Sequence, residues 1–291
     1  MTTSIKPKVW LDYDQDALND QYNQRVLVPN ADEYAQRNLK ESERVRACLP
    51  CELDVAYGPS EAEKLDLFPA PVAGGPIVVY IHGGAWTRSS KNHVNYPAEA
   101  FTRAGAAYVA VDFGLVPSVT LDEQVRQNRA AIQWVYHHAA SYGADPNQLY
   151  VAGHSSGAHV TGMMITTDWA RDWGLPSDVI KGALACSGMY DLEPVRLSSR
   201  NDYLKLDPEA ARRNSPILHL PTAGCPVIIG YGEGDQDEFR RQSAAFVAAW
   251  REAGLRCHDV VLPGLNHFEV GQQFNEPQSP ILKLMFEMMG L

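Results

Sequence analysis

The feature that most limits the possible folds is a set of short, uninterrupted apolar runs alternating with longer segments of helical period. IVVYI at 77–81 and AYVAV at 107–111 have no polar face. A strand of that kind has to be covered on both sides, as a central strand of a parallel sheet is. Residues 121–142 show apolar positions at helical spacing and stop at Gly143; 158–167, 243–253 and 281–289 also read as helices. Further strands are expected at 149–152, 180–186, 227–231 and 257–262, with two outer ones at 51–57 and 65–68 joined by a Gly-Pro-Ser turn. Strands alternating with such helices predict an α/β fold: a mostly parallel central sheet of about eight strands, covered by helices on both faces and joined by right-handed crossovers.

The first fifty residues differ in texture. They are polar and rich in Asn, Gln and Glu, with Trp10, Tyr13, Tyr22 and Tyr34 interspersed, and ALNDQYNQRV and ADEYAQRNLKESERVRA read as helices. We expect residues 1–50 to form a helical cap over the carboxyl edge of the sheet, within a single domain of 1–291. A chain of 291 residues, 45% hydrophobic, buries such a core without covalent staples.

A formal net charge of −10 repels phosphate backbones, so no nucleic-acid partner is expected. No apolar run approaches the ~20 residues of a membrane span. The opening MTTSIKPKVWLDYDQD has no apolar stretch of signal-peptide length. The expectation is a cytoplasmic protein without a membrane partner. Of the five cysteines, Cys48 and Cys51 form a C-x-x-C pair ahead of a strand-like segment, with no second pair at zinc spacing. They read as reduced thiols, and no metal is expected.

Gly153-His154-Ser155-Ser156-Gly157 fits G-x-S-x-G, directly after a strand and before a helix. That context turns a common pattern into a nucleophile elbow and specifies the α/β-hydrolase fold. The tight turn exposes Ser155 at a helix N-terminus, where free amides favour developing negative charge. His82-Gly83-Gly84-Ala85-Trp86 follows the IVVYI strand, where this fold places its oxyanion donors. The candidate donors are the amides of Gly83, Gly84 and Ser156, with Ala85 a further possibility, and His82 props the loop. In this fold the acid and then the base follow the nucleophile in the chain. His267, after the last strand and a Pro-Gly turn, is the expected base. Asp235, four residues after Tyr231, is the expected acid, with Asp237 as the alternative. Trp86, Ala85, Tyr22, Trp10, His154 and the segment 187–191, including Tyr190, are candidate substrate contacts; packing roles explain the aromatic ones equally well. Asp191 is either a substrate-amine contact or a turn cap.

HGGAW, DPNQLYVAGHSSGAH, CSGMYDLEPV, GEGDQDEFRRQS and NHF together resemble the kynurenine formamidase (arylformamidase) branch of the α/β hydrolases, related to the hormone-sensitive-lipase-like esterases. The resemblance runs over nearly the whole chain. It implies a catalytic triad of Ser155, Asp235 and His267, with an oxyanion hole at the Gly83 and Gly84 amides. It implies hydrolysis, without a cofactor, of a small acyl amide or ester of an aryl amine or alcohol, by a homodimer. A carboxylesterase or carbamate hydrolase is the alternative, and an inactive binding protein a third reading. Two positions depart from the family pattern. Ala85 stands where an aromatic residue is common, and SSGAH replaces the usual SAGGH, adding the Ser156 hydroxyl.

Overall fold

A computed structural model of the protein describes residues 6–291; the first five positions of the expected cap and N-terminal segment lie outside the described residues. Eight strands form one sheet in the order β1-β2-β4-β3-β5-β6-β7-β8. They are β1 Glu52–Ala56, β2 Lys64–Phe68, β3 Gly75–Ile81, β4 Ala107–Val111, β5 Ala144–His154, β6 Ile180–Cys186, β7 Val227–Gly234 and β8 Cys257–Asn266. β2 runs antiparallel to β1 and β4, and the other pairings are parallel. The helices are α1 Gln15–Gln21, α2 Ala31–Cys48, α3 Ala98–Ala104, α4 Leu121–His138, α5 Ser156–Ile165, α6 Trp169–Trp173, α7 Glu193–Leu197, α8 Asn201–Leu204, α9 Pro208–Arg213, α10 Asp237–Glu252, α11 His267–Gln272 and α12 Pro280–Met289.

The apolar runs lie where covered strands belong. Val79 of β3 pairs with Val109 of β4 on one side and Val151 of β5 on the other. Ile77, Val79 and Ile81 pack with Val125 and Ile132 of α4, Val160 of α5 and Phe246 of α10. Val78 and Tyr80 join Phe101 of α3 and Ile281 and Met285 of α12 on the opposite face. Strand alternation thus divides one apolar run between two cores, and each buried aliphatic side chain contributes ~1.5–3 kcal/mol.

Several boundaries differ from expectation. The helix expected through 142 tightens after His138 into a 3-10 turn, Ala139–Tyr142, and stops at Gly143 with φ +73°. ALNDQYNQRV is interrupted: α1 ends at Gln21, and the Asn23 side chain caps a separate 3-10 turn, Gln24–Val26. β8 runs on through Pro263 to Asn266, with Gly264 at φ +70° and an irregular register against β7. The short helices α7 to α9 are too brief for periodicity to reveal. With the N-terminal segment they build a third apolar cluster, containing Leu18, Tyr22, Trp86, Val195, Leu204 and Phe239. Among the described residues no helix is long and apolar enough to cross a membrane.

Candidate active site

The turn between β5 and α5 is as tight as the sequence requires. Ser155 has φ +58° and ψ −124°, a strained conformation for a residue with a side chain. Its amide donates to the Cys186 carbonyl at 2.9 Å, tying the turn to β6. A Cβ on Gly153 would come within 2.5 Å of the Gly157 carbonyl oxygen, so the strand and the helix can meet only through glycine. The Ser155 hydroxyl stands at the N-terminus of α5.

Ser155 Oγ donates to His267 Nε2 at 2.9 Å, and His267 Nδ1 donates to Asp235 Oδ1 at 2.6 Å. These directions follow from the partners: a carboxylate only accepts, so the imidazole proton sits on Nδ1 and Nε2 is left as the acceptor. Asp235 is buried and takes two further bonds on Oδ2, from the Ser187 hydroxyl at 2.6 Å and the Gly232 amide at 2.9 Å. Burial alone pushes this carboxyl up. The His267 charge and the bonds from His267, Ser187 and Gly232 outweigh it and hold the group below the usual aspartate value. Asp237 is exposed on the first turn of α10 and pairs with Arg240, away from the imidazole. His267 is held by a capping box. Asn266 accepts from the Phe268 and Glu269 amides, and Glu269 accepts from the Asn266 amide. His154 lies 4.8 Å from His267, ring to ring. Burial, and then the His267 charge, push it down to about 3, so it stays neutral beside a forming imidazolium.

The loop after β3 is anchored from below. His82 Nδ1 donates to the Gly83 carbonyl at 2.8 Å, and its ring stacks on Phe113. Gly84 has φ +107°, and Ala85 and Trp86 also take positive φ. The Trp86 amide donates to Ser156 Oγ at 3.3 Å, so the extra hydroxyl in SSGAH supports this loop. The Gly83 and Gly84 amides donate to no protein acceptor among the described residues. Ser156 opens α5, so its amide has no helical acceptor. A hydroxyl activated by an imidazole beside free amides can attack a carbonyl and stabilise the resulting oxyanion.

Ser155 and His267 open into a cavity of about 530 Å³. Tyr22, Ala85 and His154 line it as expected, with Tyr34, Phe268 and Tyr203 as further aromatic walls. Trp86, Trp10 and the segment 187–191 do not. Trp86 turns inward, and its indole N–H donates to His159 Nδ1 at 3.1 Å beneath the loop. Tyr190 is fully buried and stacks on Phe246, because Gln242 takes its backbone amide at 2.6 Å and turns the segment toward α10. Trp10 lies outside the cavity under Arg241, and Asp191 caps the Glu193 amide at 2.9 Å. The sequence reading placed Ser187 in a candidate pocket wall and missed its bond to Asp235; it also missed Arg200 in the cavity lining, for which the sequence carried no signal. All five cysteines are free. Among the described residues no group of three or more His, Cys, Asp or Glu could hold a metal ion.

The strand order and the serine turn define an α/β hydrolase. A family model described as BD-FAE matches residues 65–250. The chain is similar to kynurenine formamidase of Danio rerio, at 32% identity over 97% of this chain and 98% of that one; the Salmo salar kynurenine formamidase gives the same figures. It is also similar to esterase LipQ of Mycobacterium tuberculosis, at 29% identity over 74% of this chain and 56% of that one. Among solved structures, a Silicibacter protein aligns with TM-score 0.81 and 24% identity, covering 94% of this chain and 99% of that one. The chain belongs to the BD-FAE family and to the kynurenine formamidase-like branch of the α/β hydrolases, and is an enzyme of the amidase/esterase kind.

Proposed function

We propose that the protein hydrolyses a small acyl amide or ester of an aryl amine or alcohol, a formyl amide in the leading case, through an acyl-enzyme on Ser155. His267 takes the Ser155 proton as the hydroxyl attacks the carbonyl. The amides of Gly83, Gly84 and Ser156 hold the oxyanion, and Asp235 stabilises the imidazolium and fixes its tautomer. His267 then protonates the leaving nitrogen or oxygen, and water, deprotonated by the same imidazole, releases the acyl group. Of the expected cap, the described residues 6–50 cover the site within a single domain, contributing Tyr22 and Tyr34 to the pocket.

The observation that carries this reading is the unbroken hydrogen-bonded line from Ser155 to Asp235, ending at an aromatic-walled cavity. The similarity to kynurenine formamidases over nearly the full length supports the formyl amide; the similarity to esterase LipQ supports ester cleavage as the second reading. The test has two parts. A fluorophosphonate probe should label the protein and fail on Ser155→Ala, which keeps the same strained backbone. kcat/KM for N-formylkynurenine is then compared with that for p-nitrophenyl acetate and a panel of aryl amides. Turnover of esters with none of the formamide overturns the leading substrate.

A further inference from the structure

α11 has six residues, too few to hold a helical frame unaided. His267 is its first residue, so whatever fixes the start of α11 also aims the imidazole at Ser155 and Asp235. In the capping box, Asn266 Oδ1 takes the Phe268 and Glu269 amides, and Glu269 Oε2 takes the Asn266 amide at 2.9 Å. That leaves Asn266 Nδ2 and Glu269 Oε1, and one hydroxyl satisfies both. Tyr34 Oη donates to Glu269 Oε1 at 3.2 Å and accepts from Asn266 Nδ2 at 3.2 Å. A carboxylate only accepts and an amide nitrogen only donates, so both directions are fixed. The box is thus a closed ring whose last member comes from the cap, 235 positions from Glu269 and 232 from Asn266 in the chain.

The surrounding contacts tie the same two helices. The Tyr34 ring stacks on Phe268, with centroids 5.6 Å apart and planes at 21°. Phe268 in turn stands edge-on to the His267 ring, at 5.5 Å and 88°. One turn further along α2, Asn38 Oδ1 accepts from Gln272 Nε2 at 3.5 Å. Tyr34 and Asn38 are four residues apart and share a face of α2, so this helix holds α11 at both ends. From the other side the Tyr96 hydroxyl donates to the Gly271 carbonyl at 2.6 Å. Tyr34 is half-buried and lines the cavity as well, so its ring and its hydroxyl have separable tasks.

We infer that Tyr34 is a positioning residue for the base: its hydroxyl closes the Asn266–Glu269 box and so sets the angle of His267 between Ser155 and Asp235. This rests on the proposed acyl transfer and gives the cap a part in it beyond walling the pocket. An imidazole a few tenths of an ångström out of line slows proton transfer but leaves the bound substrate where it was, so the cost falls on kcat and not on KM. Tyr34→Phe removes the hydroxyl alone and keeps the ring on Phe268 and in the pocket wall.

The test uses the full-length protein, Tyr34→Phe, Glu269→Ala and the double variant. kcat and KM are read on p-nitrophenyl acetate and N-formylkynurenine. The proton that His267 Nδ1 donates to Asp235 is followed by its far-downfield proton NMR resonance. Tyr34→Phe should lower kcat roughly three- to tenfold, the range for hydrogen bonds of this kind, with KM unchanged. It should also shift or broaden the resonance. In the Glu269→Ala background the same change should cost about twofold or less, because the two residues act through one ring. Full kcat in Tyr34→Phe with the resonance unmoved overturns the inference, even where the urea midpoint falls, since Tyr34 is then only a staple for the cap. A raised KM with kcat unchanged overturns it too and makes Tyr34 a substrate contact. So do effects that simply multiply in the double variant, which place the action of Tyr34 outside the box. Should Glu269→Ala fail to fold, Glu269→Gln takes its place in the cycle. The resonance needs no turnover: a wild type that shows it but hydrolyses neither substrate refutes the reaction, and its response to Tyr34→Phe still decides the role of Tyr34.

Discussion

Ser187 does not touch substrate in the proposed reaction, so its removal isolates how much the protein invests in orienting its acid. The Ser187 hydroxyl is fully buried and donates to Asp235 Oδ2 at 2.6 Å, within the range of a charge-assisted bond. Ser187→Ala leaves Oδ2 with the Gly232 amide alone. Losing one bond to a buried charge costs ~1.5–3 kcal/mol at neutral pH. If about half of that is felt as the imidazolium forms, kcat falls by roughly 4- to 12-fold while KM stays near its wild-type value. The pH dependence has a definite sign. The Asp235 carboxyl lies below its unfolded value, so its contribution is complete above the unfolded pKa of ~3.9 and lost as pH falls through the lower folded value. The destabilisation by Ser187→Ala is therefore full at pH 7 and shrinks below about pH 4. The assays are p-nitrophenyl acetate hydrolysis, for kcat and KM separately, and urea unfolding at pH 7 and pH 3.5. An unchanged kcat with an unchanged urea midpoint refutes the reasoning, as does a stability loss that is the same at both pH values.

Gly83→Ala would place a Cβ 2.6 Å from the His154 carbonyl oxygen and 3.2 Å from Ser155 Cβ, displacing a proposed oxyanion donor. Its kcat should fall by ~10²–10³ with little change in KM, read by steady-state kinetics. Asn266→Ala removes the capping box that seats His267 at the start of α11. It should lose ~1 kcal/mol in urea unfolding and lower kcat as well; a stability loss with full activity would show that the cap does not position the imidazole.

Much of the site was legible in the chain because its parts are local. The serine turn needs glycines two residues to either side and a strand-to-helix transition, all within a dozen positions. The glycine loop announces itself by following the IVVYI strand. Chain order pointed to His267 and Asp235 as candidates, since a parallel sheet delivers each strand's following loop to the same edge. The choice between Asp235 and Asp237 was different in kind. Both sit in one acidic loop, and only the helical turn of α10, which carries Asp237 out to Arg240, separates them. Trp86 and Tyr190 were misplaced for a related reason. Ala85 lines the site, but Trp86 beside it turns its indole down to His159, and Gln242 holds the segment of Tyr190 toward α10, away from the cavity.

By itself the sequence determined the sheet, its covering helices, the family, and the serine, histidine and glycine positions, because periodicity and turn chemistry act over a few residues. Only the tertiary structure decided what surrounds them. Ser187 meets Asp235 across 48 positions, and Arg200 meets Tyr22 across 178. Contacts between such distant segments leave no local pattern. They arise where loops from separate strands converge at one end of the sheet, and there the charge and shape of the pocket are set.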